Sequence, residues 1–267
     1  MSARGSRSAP RDGMRKLLRV AGLPAVAALF SASPERIERL FFDARLKPEV
    51  GSFCAELARR RKPYREVEAE DLARLAGSVL HGGILALAKP RPVAEFDLAR
   101  AAAWASEGRL LLILDGIGNP HNLGAIVRTA AFFGIPRLVI SDHPEQAGPS
   151  DASYRVAEGG MEHVELYRAH HFAKALRSLR QSHRVIGAAA ENGKSISAIS
   201  ASDKPMALVL GNEQHGLPRD TQRICDELVT IPGSGSVQSL NVAATAAILI
   251  YALAAQGKPA KSAKPDT

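Results

Sequence analysis

Five side chains in the C-terminal half of this 267-residue chain have types and spacing suited to chemistry: Asn122, Arg128, Glu213, Ser239 and Asn241. They lie in three segments: N-P-H-N-L-G-A-I-V-R from Asn119, L-V-L-G-N-E-Q-H-G-L from Leu208, and I-P-G-S-G-S-V-Q-S-L-N from Ile231. Two amides and a hydroxyl can align a polar ligand, a guanidinium can hold an anion such as a phosphate, and a carboxylate can brace and orient them. Each residue also has an ordinary role. Asn122 stands where it could cap a helix, and Ser239 and Asn241 could cap another. Glu213 could hold the N–H groups of a neighbouring loop. Arg128 is the only charged residue between Leu123 and Gly134, on a helix that is apolar over most of its circumference. A half-buried arginine needs an anionic partner, so an ion pair with a carboxylate such as Glu213 is its ordinary reading.

These segments follow apolar runs that read as strands: Leu110–Leu114, Arg137–Ser141, Val185–Ala189, Ala207–Leu210 and Leu228–Ile231. Helical patterns cover Leu123–Phe133, Phe172–Arg180, Arg219–Ile224 and Asn241–Ala255. Alternating apolar strands and helices predict a parallel α/β sheet covered on both faces. Such sheets bind ligands in the loops at strand ends. Nearer the N-terminus, the run from Lys16 is helical in spacing, with a break near Gly22 to Pro24. Ser33-Pro34-Glu35 reads as the start of a helix over Arg36 to Ala44. Tyr64 to Val67 reads as a strand, Glu70 to Ala76 as a helix, and His81-Gly82-Gly83-Ile84-Leu85-Ala86 as a turn into another strand. This divides the chain into a basic tail without order (1–14), a small α/β domain (15–90), a linker (91–108), a larger domain (109–256) and a second tail without order (257–267).

The net charge of +8 is unevenly placed. Residues 1–95 hold 18 Lys and Arg against 11 Asp and Glu, a net of +7, while the remainder holds 17 against 16, a net of +1. The sharpest cluster is Arg59, Arg60, Arg61 and Lys62, followed by Arg65. It is either a solvated face or a surface for a polyanion. Two cysteines far apart, Cys54 and Cys225, suit a reducing cytosol, and no apolar run is long enough to span a membrane. The eight histidines lack metal-ligand spacing. Gly193-Lys194-Ser195 departs from a phosphate-binding loop because Ala188 stands where a glycine is required. After Gly116 and Gly118, His121 breaks the dinucleotide-binding pattern.

Taken together, the three segments resemble the SpoU-TrmH family of RNA ribose 2′-O-methyltransferases. Asn122 and Arg128 match its first motif, Glu213 its second, and Ser239 and Asn241 in S-L-N its third. The likeness is dense from about Leu110 to Ala255. The H-G-G-I-L-A segment is similar to the end of the family's small, ribosomal-protein-like RNA-binding domain, where H-Q-G is commoner. His121, Gln214 and His215 vary the family theme.

The resemblance implies a knotted parallel-sheet methyltransferase domain, with a trefoil knot in its last third, and a homodimer. It implies S-adenosylmethionine as cofactor, held near Leu210, Gly211, Ile231, Pro232 and Leu240, no metal, and structured RNA, ribosomal or transfer, as partner. The family's arginine at the position of Arg128 is proposed as a base. Because guanidinium stays protonated, Arg128 reads better as a fixed cation that lowers the cost of an alkoxide. Two alternatives stay open at this point: a catalytically silent RNA-binding or ribosome-associated protein, and a nucleotide-dependent enzyme on an ordinary doubly wound sheet.

Overall fold

A computed structural model describes residues 17–200 and 202–254, which build two sheets. The first holds β1 (Leu18–Ala21), β2 (Ile37–Phe42), β3 (Tyr64–Glu66) and β4 (Ile84–Ala88) in the order β1-β4-β2-β3. β4 is antiparallel to β1 and β2, and β2 is parallel to β3. Its helices are α1 (Leu23–Ala32), α2 (Gly51–Arg59) and α3 (Ala69–Ala76).

Two local expectations fail in this region. Within the run expected to be helical, Leu18–Ala21 is a strand, and the helix begins only after Gly22, whose φ of 93° turns the chain. Ser33-Pro34-Glu35 yields one 3-10 turn, Pro34–Arg36, and Ser33 makes no capping hydrogen bond. Residues 37–42 form β2 instead. Strand pairing with β3 and β4 buries Ile37, Leu40 and Phe42, and this outweighs the helix-start signal. The helix α2 carries no signal that the sequence reading used.

The second sheet is built from β5 (Ala94–Glu95), β6 (Leu111–Asp115), β7 (Arg137–Ser141), β8 (Glu165–Ala169), β9 (Arg184–Ala188), β10 (Lys194–Ser195), β11 (Met206–Gly211) and β12 (Glu227–Thr230). Its order is β10-β12-β9-β11-β6-β7-β8-β5, and every pairing is parallel. The helices are α4 (Leu98–Ala105), α5 (Pro120–Phe132), α6 (Asp151–Ala157), α7 (Gly160–His163), α8 (Phe172–Leu179), α9 (Arg219–Ile224) and α10 (Val242–Ala254). Residues 91–108, read above as a linker, contain β5 and α4. They close one edge of this sheet, where the Phe96 N–H donates to the Arg168 carbonyl at 2.8 Å and the Trp104 ring packs on Tyr167. The tails at 1–14 and 257–267 lie outside the described residues.

A continuous apolar core runs from the small sheet into the large one, with Val26 and Leu29 in the same cluster as Leu123, Val127 and Met161. Arg36 spans the boundary. Its Nη1 donates to both Glu162 oxygens at 2.9 Å, its Nη2 to the Tyr154 hydroxyl at 3.2 Å, and its Nε to the Lys89 carbonyl at 2.9 Å. Burial disfavours the charge on Arg36, but the Tyr154 and Glu162 oxygens outweigh it and hold the guanidinium pKa above its ordinary value. No described helix is long and apolar enough to cross a membrane.

Candidate active site

Parallel packing places the carboxyl ends of β6 and β11 side by side, with Gly211 opposite Asp115. The loop after β6 leads into α5, capped by Asn119, whose side chain accepts the His121 N–H at 2.9 Å, with Pro120 in the first turn. The cap is therefore Asn119, three residues before the expected one, and Asn122 is left inside the helix for other work. The loop after β11 is a tight turn in which Asn212 and Gly216 exchange backbone hydrogen bonds at 3.0 and 2.9 Å. A Cβ on Gly211 would stand 2.4 Å from the backbone of Gly216 and Leu217, so only glycine fits.

That turn delivers Glu213 to the neighbouring loop. Its Oε1 accepts from Asn122 Nδ2 at 2.8 Å, and its two oxygens lie 3.4 Å from the N–H groups of Asn119 and Gly118. Asn122 Oδ1 in turn accepts from Asn241 Nδ2 at 3.2 Å, and Asn241 Oδ1 accepts the Ala243 N–H at 2.8 Å, capping α10. A carboxylate only accepts, so Asn122 must turn its amide nitrogen to Glu213 and its oxygen to Asn241. Both amides are thereby fixed in orientation, and the relay joins all three sequence segments. Asn122 is 9% exposed.

Arg128 is placed differently from the expectation. Its side chain is 57% exposed and pairs with Glu158 at 2.8 Å, not with Glu213. Six helical residues turn through about 600°, so Asn122 and Arg128 project from different sides of α5. Ser239 and Leu240 are exposed on the stretch that leads from β12 to α10. Of the residues expected at the cofactor, Leu210 and Gly211 are buried at the end of β11, Ile231 is half-buried, and Pro232 and Leu240 are exposed.

Sequence reasoning assigned no role to Asn212 or Gln146, which pin the same loop. Asn212 Nδ2 donates to the Gly116 carbonyl at 2.9 Å, while its Oδ1 accepts the N–H groups of Gln214 and His215 at 2.9 and 3.1 Å. Gln146 Oε1 accepts from the N–H groups of Gly116 and Ile117, and its Nε2 returns to the Ile117 carbonyl. Asn212 was visible inside G-N-E. Gln146 had no motif around it.

The basic cluster is partly neutralised. Arg59 and Arg60 both engage Glu56, and Lys62 pairs with Glu38 at 2.6 Å. Hydrogen bonding from Lys62 holds the Glu38 carboxyl below its usual range. Arg61 and Arg65 enter no ion pair among the described residues. A groove of about 470 Å³ lies across the ends of β6 and β7, lined by His143, His171, Lys174 and Arg177. A cavity of about 500 Å³ near Arg109, Lys204 and Leu253 holds none of the motif residues. Burial, with Asp226 beside it, pushes the Cys225 thiol up to about 12, which leaves it inert as a nucleophile.

Residues 109–251 match the model of the SpoU rRNA Methylase family, and residues 19–94 match that for RNA 2′-O ribose methyltransferase substrate binding. The chain is 34% identical over 234 residues to the 23S rRNA (guanosine-2′-O-)-methyltransferase RlmB of Bordetella pertussis, covering 87% of this chain and 94% of that one. It is also 34% identical to the uncharacterized tRNA/rRNA methyltransferase YfiF of Escherichia coli O157:H7, of which it spans 66%. Among solved structures, an AdoMet-bound rRNA methyltransferase from Sinorhizobium meliloti shares the fold, with a TM-score of 0.73 at 23% identity over 89% of this chain and 87% of that one. Two family domains in order, and a relative 34% identical over 87% of this chain, lead to one conclusion: this chain belongs to the SpoU family of S-adenosylmethionine-dependent RNA 2′-O-methyltransferases.

Proposed function

We propose that this protein methylates a ribose 2′-hydroxyl of ribosomal RNA, with a guanosine of 23S rRNA as the first target to test. The observation that carries this reading is the Glu213–Asn122–Asn241 relay. It fixes two amides at the start of α10 and beside the carboxyl ends of β6 and β11, the end of a parallel sheet where ligands bind. RNA loading is assigned to residues 15–90 and catalysis to residues 109–256.

The residues present fit an adenosyl cofactor. Leu210 and Gly211 end β11, and Ile231, Pro232 and Leu240 lie on the stretch from β12 to α10, so the set offers both main-chain polar groups and apolar side chains. Gly233 and Gly235 give the exposed stretch between β12 and α10 a backbone able to fold over a ligand. S-adenosylmethionine supplies a methyl group made electrophilic by its sulfonium centre. The protein must then favour an oxyanion on a hydroxyl that ionises far above neutrality. Asn122, Ser239 and Asn241 orient that hydroxyl, Glu213 holds the amides in place, and Arg128 provides the positive field and contacts phosphate. Arg61 and Arg65 contact RNA backbone, with Arg59, Arg60 and Lys62 joining when RNA phosphate displaces their carboxylates.

A trefoil knot over the last third is supported by the insertion of β11 between β6 and β9 and the return of α10 onto α5. A homodimer is supported by the exposed apolar face of α5 and α10: Phe132 is 83% exposed, Tyr251 66% and Ile248 39%. Arg128 stands one turn before Phe132 on that face, so an interface there brings it toward a second copy. The proposed compartment is the cytoplasm, where ribosomal RNA matures.

The substrate assignment is tested with tritiated S-adenosylmethionine and unmodified ribosomal and transfer RNA offered separately. Label confined to ribosomal RNA supports it. Label confined to transfer RNA would overturn the substrate while leaving the reaction.

A further inference from the structure

We propose that Glu158 is a positioning residue for Arg128, fixing the direction in which the guanidinium leaves α5; this rests on the reading of Arg128 given above. Glu158 Oε2 lies 2.8 Å from Arg128 Nη2. Glu158 closes α6 with φ 45° and ψ 46°, in the left-handed region where helices usually end on glycine or asparagine. A side chain with a Cβ is strained there.

The neighbouring residues show why the backbone keeps that conformation. A Cβ on Gly159 would stand 2.8 Å from the Ala28 Cβ and 3.1 Å from the Pro24 carbonyl oxygen, so this residue is pressed against α1. A Cβ on Gly160 would stand 3.2 Å from the Arg128 Cα, so the next residue is pressed against α5. The turn is held between the RNA-loading domain on one side and the catalytic helix on the other. Glu158 leaves that turn toward Arg128.

Stability does not account for the arrangement. The two side chains are 57% and 48% exposed, and an ion pair that open to water returns little. A strained position with a weak pair points instead to a requirement for orientation. With Nη2 directed to Glu158, the remaining edge of the guanidinium faces one way, preset for a phosphate or ribose oxygen. An unrestrained arginine on an exposed helix face would sample many rotamers and lose that ordering.

The test uses the full-length protein, tritiated S-adenosylmethionine and unmodified in vitro-transcribed 23S rRNA. Single-turnover rate, RNA affinity and thermal midpoint are measured for wild type, Glu158→Gly, Glu158→Gln, Arg128→Ala, Arg128→Lys and the Arg128→Lys, Glu158→Gly double variant. Glu158→Gly is expected to slow transfer about tenfold, with RNA affinity within about twofold and the midpoint unchanged or higher. Glu158→Gln, which keeps an acceptor, should fall between. In an Arg128→Lys background, Glu158→Gly should add less than a twofold loss, because the fork it orients is gone. A Glu158→Gly rate equal to wild type, with Arg128→Ala inactive, overturns the positioning role and leaves the function standing. Wild-type rate in Arg128→Ala removes the reading of Arg128 and with it the positioning role, while the transfer itself still supports the function.

Discussion

Two arginine–carboxylate pairs meet on the same short stretch, α6 to α7, and they differ in almost everything except chemistry. Arg36 and Glu162 are 11% and 1% exposed, share two hydrogen bonds and engage Tyr154. Arg128 and Glu158 are 57% and 48% exposed and form a single contact. The first lies where the two domains meet, and its members have no water to fall back on. The second lies on a helix face that the subunit leaves open, where the pair adds little stability but sets the direction of the guanidinium. Burial thus sorts the same pair of groups into a structural clamp and an orienting contact.

The largest effect expected from breaking this contrast is at the clamp. Arg36→Ala strands the Glu162 carboxylate without a counter-charge and should cost about 3–5 kcal/mol in urea unfolding. If the loss is below about 1 kcal/mol, the domains are not held together by this pair. A buried titrating group extends the same logic. His183 is 1% exposed, and burial pushes its imidazole down to about 4. The unfolded chain then binds the proton first as pH falls, so stability is full above pH ~6.5 and is lost between about 6.5 and 4. The loss should approach 3 kcal/mol, on the order of 1.36 kcal/mol per unit. Calorimetry across that range checks it, and His183→Gln should flatten the dependence.

Third in size is the packing beneath α5. A Cβ on Gly124 would stand 2.5 Å from the Ser153 carbonyl oxygen. Gly124→Ala should therefore cost roughly 1–3 kcal/mol and slow methyl transfer by displacing Asn122. Smallest is the exposed pair: Arg128→Ala should change stability by less than about 0.5 kcal/mol while abolishing turnover. A large stability loss there would make the pair structural after all.

The sequence exposed the site better than it exposed the domain boundary. Strands such as Leu111–Asp115 and Met206–Gly211 are buried on both faces, so their apolar runs mark them without ambiguity. Asn122, Glu213 and Asn241 were legible because each sits in a short polar stretch at the end of such a run. β2 was hidden because its pairing comes from β4, more than 40 residues away, while its first residues mimic a helix start. The Glu158 contact was invisible for a similar reason. Its partner lies on another helix, and its left-handed backbone is imposed by packing that no local pattern encodes. The half-buried placement expected of Arg128 fails because a helix apolar in sequence still leaves one face open to solvent.

The most direct test of the account is the chemical position of the transferred methyl group. Unmodified 23S rRNA is labelled with tritiated S-adenosylmethionine by wild type and by Asn122→Ala, then hydrolysed with alkali. A 2′-O-methyl group blocks cleavage at its own linkage. The account predicts label in alkali-resistant dinucleotides, reduced at least about 100-fold in Asn122→Ala, as loss of a group that orients the reacting hydroxyl requires. Label in mononucleotides, or an unchanged rate in that variant, would contradict it.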